Sequence, residues 1–166
     1  MAKDESFDVV SEVNLQEVDN AYQQTKKEMT QRYDLKGNKA TLEFDKSAKR
    51  FTLNAPSEFV AKQVMDVLES KFIQRKVELA ALRWSDAQDA SGMTVRYTGD
   101  IVEGIDKDLA GRISKNIRDM KLKRVKVQIE GSKLRVISSS RDDLQEVISF
   151  LKEKDYGQPL QYTNYR

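Results

Sequence analysis

The chain has 166 residues, 39% hydrophobic and 34% charged, with 29 Lys and Arg against 27 Asp and Glu, and neither Cys nor His. Without Cys or His, disulfides, thiolate nucleophiles, imidazole bases and nearly every zinc site are excluded. So polar a composition suits two small domains, which have more surface per residue, better than one compact domain.

No run has the length of a membrane span, and the start, MAKDES, lacks the apolar segment of a signal peptide. A soluble, cytoplasmic protein is expected, with no membrane, metal or cofactor.

Residues 7–13 (FDVVSEV) read as a strand. Asn14 caps a helix, with Glu17 placed to reach back as in a capping box. Leu15, Val18, Tyr22, Thr25 and Met29 mark one helical face, and the helix should run to about Tyr33 before Gly37 ends it. KATLEF (39–44) and KRFTLNA (49–55) alternate as a hairpin with Leu42, Phe44, Phe51 and Leu53 towards a core. Ser57 opens a second helix striped by Val60, Val64, Val67, Leu68 and Phe72, and residues 77–84 read as a fourth strand. The order β-α-β-β-α-β is the split-βαβ or ferredoxin-like arrangement. It predicts an α+β sandwich in which two helices cover one face of a four-stranded antiparallel sheet and leave the other open.

Residues 85–92 (SDAQDASG) are small and polar and read as a linker. The order then restarts with a strand at 93–102, a helix at 106–120, a hairpin at 125–137, a helix from Ser140 with Asp143 at the box position, and a strand at 159–165. Val60, Val64 and Val67 map onto Leu144, Ile148 and Leu151 at a shift of about 84 residues, the mark of a duplicated pattern. Two tandem domains of one fold are predicted, over 13–92 and 103–166.

Charge is uneven along the chain. Residues 93–166 hold 15 basic and 11 acidic side chains, whereas residues 1–92 hold 14 and 16, so the second half suits a polyanionic partner better. The excess concentrates where the third helix runs into the second hairpin: Lys115, Arg118, Lys121, Lys123, Arg124 and Lys126 against Asp119 alone. Basic residues near a helix C-terminus stabilise its free carbonyls, and charge runs usually coat a solvated face. Here, however, the excess continues into the hairpin. Lys126, Gln128 and Arg135 alternate onto the face opposite Val125, Val127, Ile129, Leu134 and Val136. On an open sheet such residues would neutralise phosphates and reach base edges.

No P-loop and no G-x-G-x-x-G is present. Asp142 and Asp143 are explained by the start of a helix. The aromatic signature of an RNA-recognition sheet is missing as well, so sequence-specific RNA reading is not supported. Tyr156, Tyr162 and Tyr165 would either pack or stack a base.

SFDVVSEV (6–13), RYDLKG (32–37), the stretch 113–136, SRDDLQEVISFLK (140–152) and GQPLQYTNYR (157–166) together resemble the YajQ family of bacterial nucleotide-binding proteins. Residues 76–91 depart from that pattern. The resemblance implies tandem ferredoxin-like domains with exchanged first strands: residues 6–12 complete the second sheet and residues 93–102 the first. It further implies a non-catalytic protein that binds nucleotides (ATP, GTP or cyclic di-GMP) and RNA, including tRNA, with some members acting through a transcription regulator.

The charge pattern supplies the candidate site. Lys115, Arg118, Lys121, Lys123 and Lys126 would neutralise phosphates, with Gln128 and Arg135 on base or ribose. The alternative is a protein-interaction adaptor that docks a transcription regulator or self-associates through its open sheet or edge strands. An enzyme is the least supported reading, since neither His nor Cys is available and no carboxylate cluster stands out.

Overall fold

The computed structural model describes residues 3–32, 35, 37 and 39–166. In chain order its first elements are β1 (Glu5–Val10), α1 (Leu15–Gln31), β2 (Thr41–Asp45), β3 (Arg50–Ala55), α2 (Glu58–Gln74), β4 (Leu82–Trp84) and β5 (Gln88–Ala90). They are followed by β6 (Thr94–Ile101), α3 (Lys107–Asp119), β7 (Val125–Glu130), β8 (Lys133–Ser138), α4 (Arg141–Lys152) and β9 (Gln161–Thr163). The chain divides into two compact units, Val13–Val102 and Met1–Glu12 with Glu103–Arg166. Each is an antiparallel sheet with two helices, so the protein is α+β throughout.

In the Val13–Val102 unit the strands lie in the order β2-β3-β6-β4, all antiparallel, so the long strand beside β3 is β6. Leu42, Phe51 and Leu53 from the sheet meet Val64, Leu68 and Phe72 from α2, every one of them buried. Phe44 stacks on Phe51 with ring centroids 4.4 Å apart. Asn14 caps α1 by accepting from the backbone N–H groups of Gln16 and Glu17. The Glu17 carboxylate turns sideways instead, accepting from Asn20 at 2.9 Å and pairing with Arg75 at 3.6 Å. The helix end expected near Tyr33 lies outside the described residues, as do Asp34 and Lys36 of RYDLKG.

The expected four-stranded sheet has a fifth strand. Residues 85–92, which read as a linker, hold β5, and it pairs with β6 from Gln88 opposite Arg96 to Ala90 opposite Thr94. Ser85 leads into it, donating its N–H to the Thr98 carbonyl at 2.7 Å and accepting the Thr98 N–H on its hydroxyl at 3.0 Å. Ladder pairing is a backbone interaction, so a small, polar segment takes an edge position without an apolar pattern to announce it. The preceding strand is shorter than read, because Leu79–Ala81 forms a 3-10 turn. Trp84 lies against Gly99, where an added Cβ would come within 2.8 Å of the indole ring.

In the other unit the order is β7-β8-β1-β9. Phe7 and Val9 of β1 stand in register with Val136 and Leu134 of β8. These four residues are buried beneath Ile113 and Ile117 of α3 and Leu144, Val147 and Leu151 of α4. Ser140 caps α4, its hydroxyl accepting the Asp143 N–H at 3.2 Å. The β7–β8 turn places Gly131 at φ +62° in the first of its two loop positions, the glycine position of a II′ turn. Ile129, expected to face the core, is 55% exposed. It shares its register with buried Leu134, but β7 is an edge strand and the apolar face of α3 ends at Ile117. β9 covers only Gln161–Thr163, because Asn164 has φ +53° and breaks the extended run; pairing resumes between Arg166 and Ser6.

Candidate functional site

α3 and β7 are joined by a short turn, so the end of the helix is tied closely to the start of the edge strand. Lys121 forms the turn in the left-handed conformation (φ +58°), its N–H donating to the Arg118 carbonyl at 3.0 Å. The Val125 N–H then donates to the Leu122 carbonyl at 3.1 Å, which directs β7 back along the helix. A cleft of about 570 Å³ opens between them, lined by Ser114, Ile117, Arg118, Leu122, Val125, Lys126, Val127 and Gln128. That volume lies within the usual ligand-site range of roughly 300–1,000 Å³. Ile117, Leu122, Val125 and Val127 give it apolar walls; Arg118 borders it from α3, and Lys126 and Gln128 border it along the edge of β7, in alternate phase to Val125 and Val127.

Three of the seven candidate residues, Arg118, Lys126 and Gln128, thus meet in one cleft. Lys115, Lys121 and Lys123 are exposed nearby and do not line it. Arg124 is turned aside towards Asp143 at 3.9 Å. Arg135 lies across the strands from Gln128, so the open sheet face continues from the cleft. Its guanidinium is already engaged, with Nε donating to Asp8 at 3.2 Å and another nitrogen 3.6 Å from Glu130.

Asp8 is the residue that the sequence reading missed. It is 1% exposed at the centre of the open sheet face and accepts from Asn164 at 2.9 Å, with Lys133 3.5 Å away. Burial pushes its carboxyl up. Hydrogen bonds from Asn164 and Arg135 and the charges of Lys133 and Arg135 outweigh that, so it titrates below its ordinary range. An acid between Phe7 and Val9, out of phase with both, was the only signal available in the sequence.

The tyrosines pack. Tyr156 is buried with its hydroxyl accepting from Asn116 at 2.7 Å, Tyr162 meets Phe7 edge-on at 6.1 Å, and Tyr165 stacks on Phe7 at 6.4 Å. Among the described residues no group of three or more acidic side chains is placed to hold a metal ion, and no helix is long and apolar enough to cross a membrane.

Residues 5–166 match the family described as nucleotide-binding protein YajQ-like. A protein of Endomicrobium trichonymphae called "Nucleotide-binding protein" is 45% identical over 166 residues, covering 100% of both chains. Proteins of the same name from Carboxydothermus hydrogenoformans and Nocardia farcinica are 46% identical over 166 residues and 48% identical over 165. The Nocardia match covers 98% of this chain and 99% of the relative.

Proposed function

Because this chain belongs to the family of YajQ-like nucleotide-binding proteins, we propose that the α3–β7 cleft binds a nucleotide, without catalysis. The observation that carries this reading is the meeting of Arg118, Lys126 and Gln128 around apolar walls in one cleft. Ile117, Leu122 and Val127 would cover a base. Arg118 and Lys126 would hold its phosphates, and Gln128 would hydrogen-bond the base or ribose. Lys115, Lys121 and Lys123 would act at longer range, drawing a polyanion such as tRNA along the same surface. Arg135 has two carboxylates beside it and would serve a ligand only through the part of its fork they leave open.

ATP, GTP and cyclic di-GMP all carry the required chemistry. A cyclic dinucleotide held here would make the protein a receptor that influences a transcription regulator. The test is calorimetric titration of the nucleic-acid-stripped protein with these three ligands and bulk tRNA at two salt concentrations. Saturable binding of one small ligand with modest salt dependence is expected, weakened at least about tenfold by Arg118→Glu with Lys126→Glu. Unchanged affinity in that double variant overturns the assignment.

A second reading, an adaptor that docks a protein partner or self-associates, is favoured by one observation: exposed Ile129 on the edge strand β7. A concentration-dependent dimer in light scattering, lost in Ile129→Lys, would support it; an unchanged monomer would exclude self-association.

A further inference from the structure

The α3–β7 cleft has a counterpart at the same topological position in the Val13–Val102 unit. Each sheet runs from the first hairpin strand to the second, then to a strand from a distant part of the chain, then to a short closing strand. Hence α1 stands to β2 as α3 stands to β7. Between the C-terminal part of α1 and β2 lies a cleft of about 500 Å³, with Met29, Leu35 and Leu42 on its apolar walls and Lys26, Lys39 and Glu43 among its polar lining.

We propose that this cleft is a second nucleotide site, selective for guanine over adenine. Its walls would sandwich the base, Lys26 and Lys39 would face the phosphates, and the Glu43 carboxylate would read the edge of the base. Glu43 is held in place, because the buried Tyr22 hydroxyl donates to its Oε2 at 3.2 Å, a bond that takes one of the roughly four acceptor positions of a carboxylate. The Lys26 ammonium lies 5.4 Å above the Tyr22 ring. Burial raises the Tyr22 hydroxyl above its usual value, so at neutral pH it stays a donor to Glu43.

An ionised carboxylate only accepts hydrogen bonds. Guanine presents two adjacent N–H donors, its ring N1–H and exocyclic amino group, which match such an acceptor. Adenine presents an acceptor nitrogen beside its amino group, so one bond is lost and two lone pairs meet. A mismatch of this kind at a built polar site discriminates strongly. The assignment rests on residues separate from those of the α3–β7 cleft, and the two sites can be read apart.

The experiment is a titration of the ¹⁵N-labelled full chain with GTP and with ATP, following amide shifts by NMR. GTP should move the amides of residues 26–30 and 40–43 saturably, and ATP should do so at least about tenfold more weakly. Glu43→Gln should erase that preference, and Lys39→Glu should weaken both nucleotides. If only the amides of residues 125–128 move, the second site is overturned and the α3–β7 reading stands. If only those beside α1 and β2 move, the reverse holds. Equal affinity for the two nucleotides, or a preference that survives Glu43→Gln, overturns the guanine assignment.

Discussion

Replacing Asp8 by Asn removes one negative charge from the middle of the open sheet face and leaves its volume almost unchanged. The Arg135 Nε at 3.2 Å and the Lys133 ammonium at 3.5 Å then lose the Asp8 charge, Arg135 keeping Glu130 at 3.6 Å, and the carboxylate that accepts from Asn164 at 2.9 Å becomes an amide. A hydrogen bond to a charged group contributes roughly 1.5–3 kcal/mol, and a contact near 3.5 Å contributes less. The Arg135 and Lys133 side chains are 28% and 36% exposed, so water replaces part of what they lose.

The expected loss is therefore about 2–3 kcal/mol, below the roughly 3–5 kcal/mol of a fully buried pair. For a unit of this size it corresponds to a fall of about 10–20 °C in Tm, read by scanning calorimetry at pH 7. The Asp8 carboxyl titrates below its ordinary value, so its stabilisation is complete above the unfolded-state pKa of about 3.9 and is lost as pH falls through the lowered folded-state value. The gap between wild type and Asp8→Asn should accordingly close below about pH 4. The freed cations should also raise affinity for tRNA and steepen its salt dependence. An unchanged Tm at pH 7, or a gap that stays constant into strong acid, refutes the reasoning.

Three further outcomes follow from local geometry. Gly99→Ala would put a methyl group 2.8 Å from the Trp84 ring and 3.0 Å from Leu82 Cδ1. It should destabilise the Val13–Val102 unit by about 1–3 kcal/mol and shift the emission of the chain's single tryptophan. Lys121 holds a positive φ that glycine adopts without strain, so Lys121→Gly should stabilise by about 0.5–1 kcal/mol in urea titration while weakening tRNA binding. Ser140→Ala removes the cap of α4 and should cost about 1 kcal/mol in the same assay.

What the sequence determined by itself is what local chemistry and periodicity determine. Val125, Val127, Leu134 and Val136 alternate because one sheet face must be dry, and Leu109, Ile113 and Ile117 recur because one helix face must be. Asn14, Ser57, Asp106 and Ser140 each accept backbone N–H groups at a helix start, as their side-chain chemistry allows. The cluster of cations between Lys115 and Lys126 was visible in the same way.

The tertiary structure decided which of those cations share a cavity, because that depends on the angle at which β7 leaves α3. It gathers Arg118, Lys126 and Gln128 and leaves Lys115, Lys121 and Lys123 outside. It also gave Arg135 to Asp8, a partner 127 positions away in the chain that no local pattern connects to it. Edge positions were equally illegible. Ile129 has a core phase and lies exposed, and Gln88–Ala90 has a linker's composition and forms a strand, since sequence period fixes which face a residue takes but not what covers it. The exchange of β1 and β6 between the units is the extreme case, because strand pairing over such separations is settled by the backbone ladders of the whole sheet.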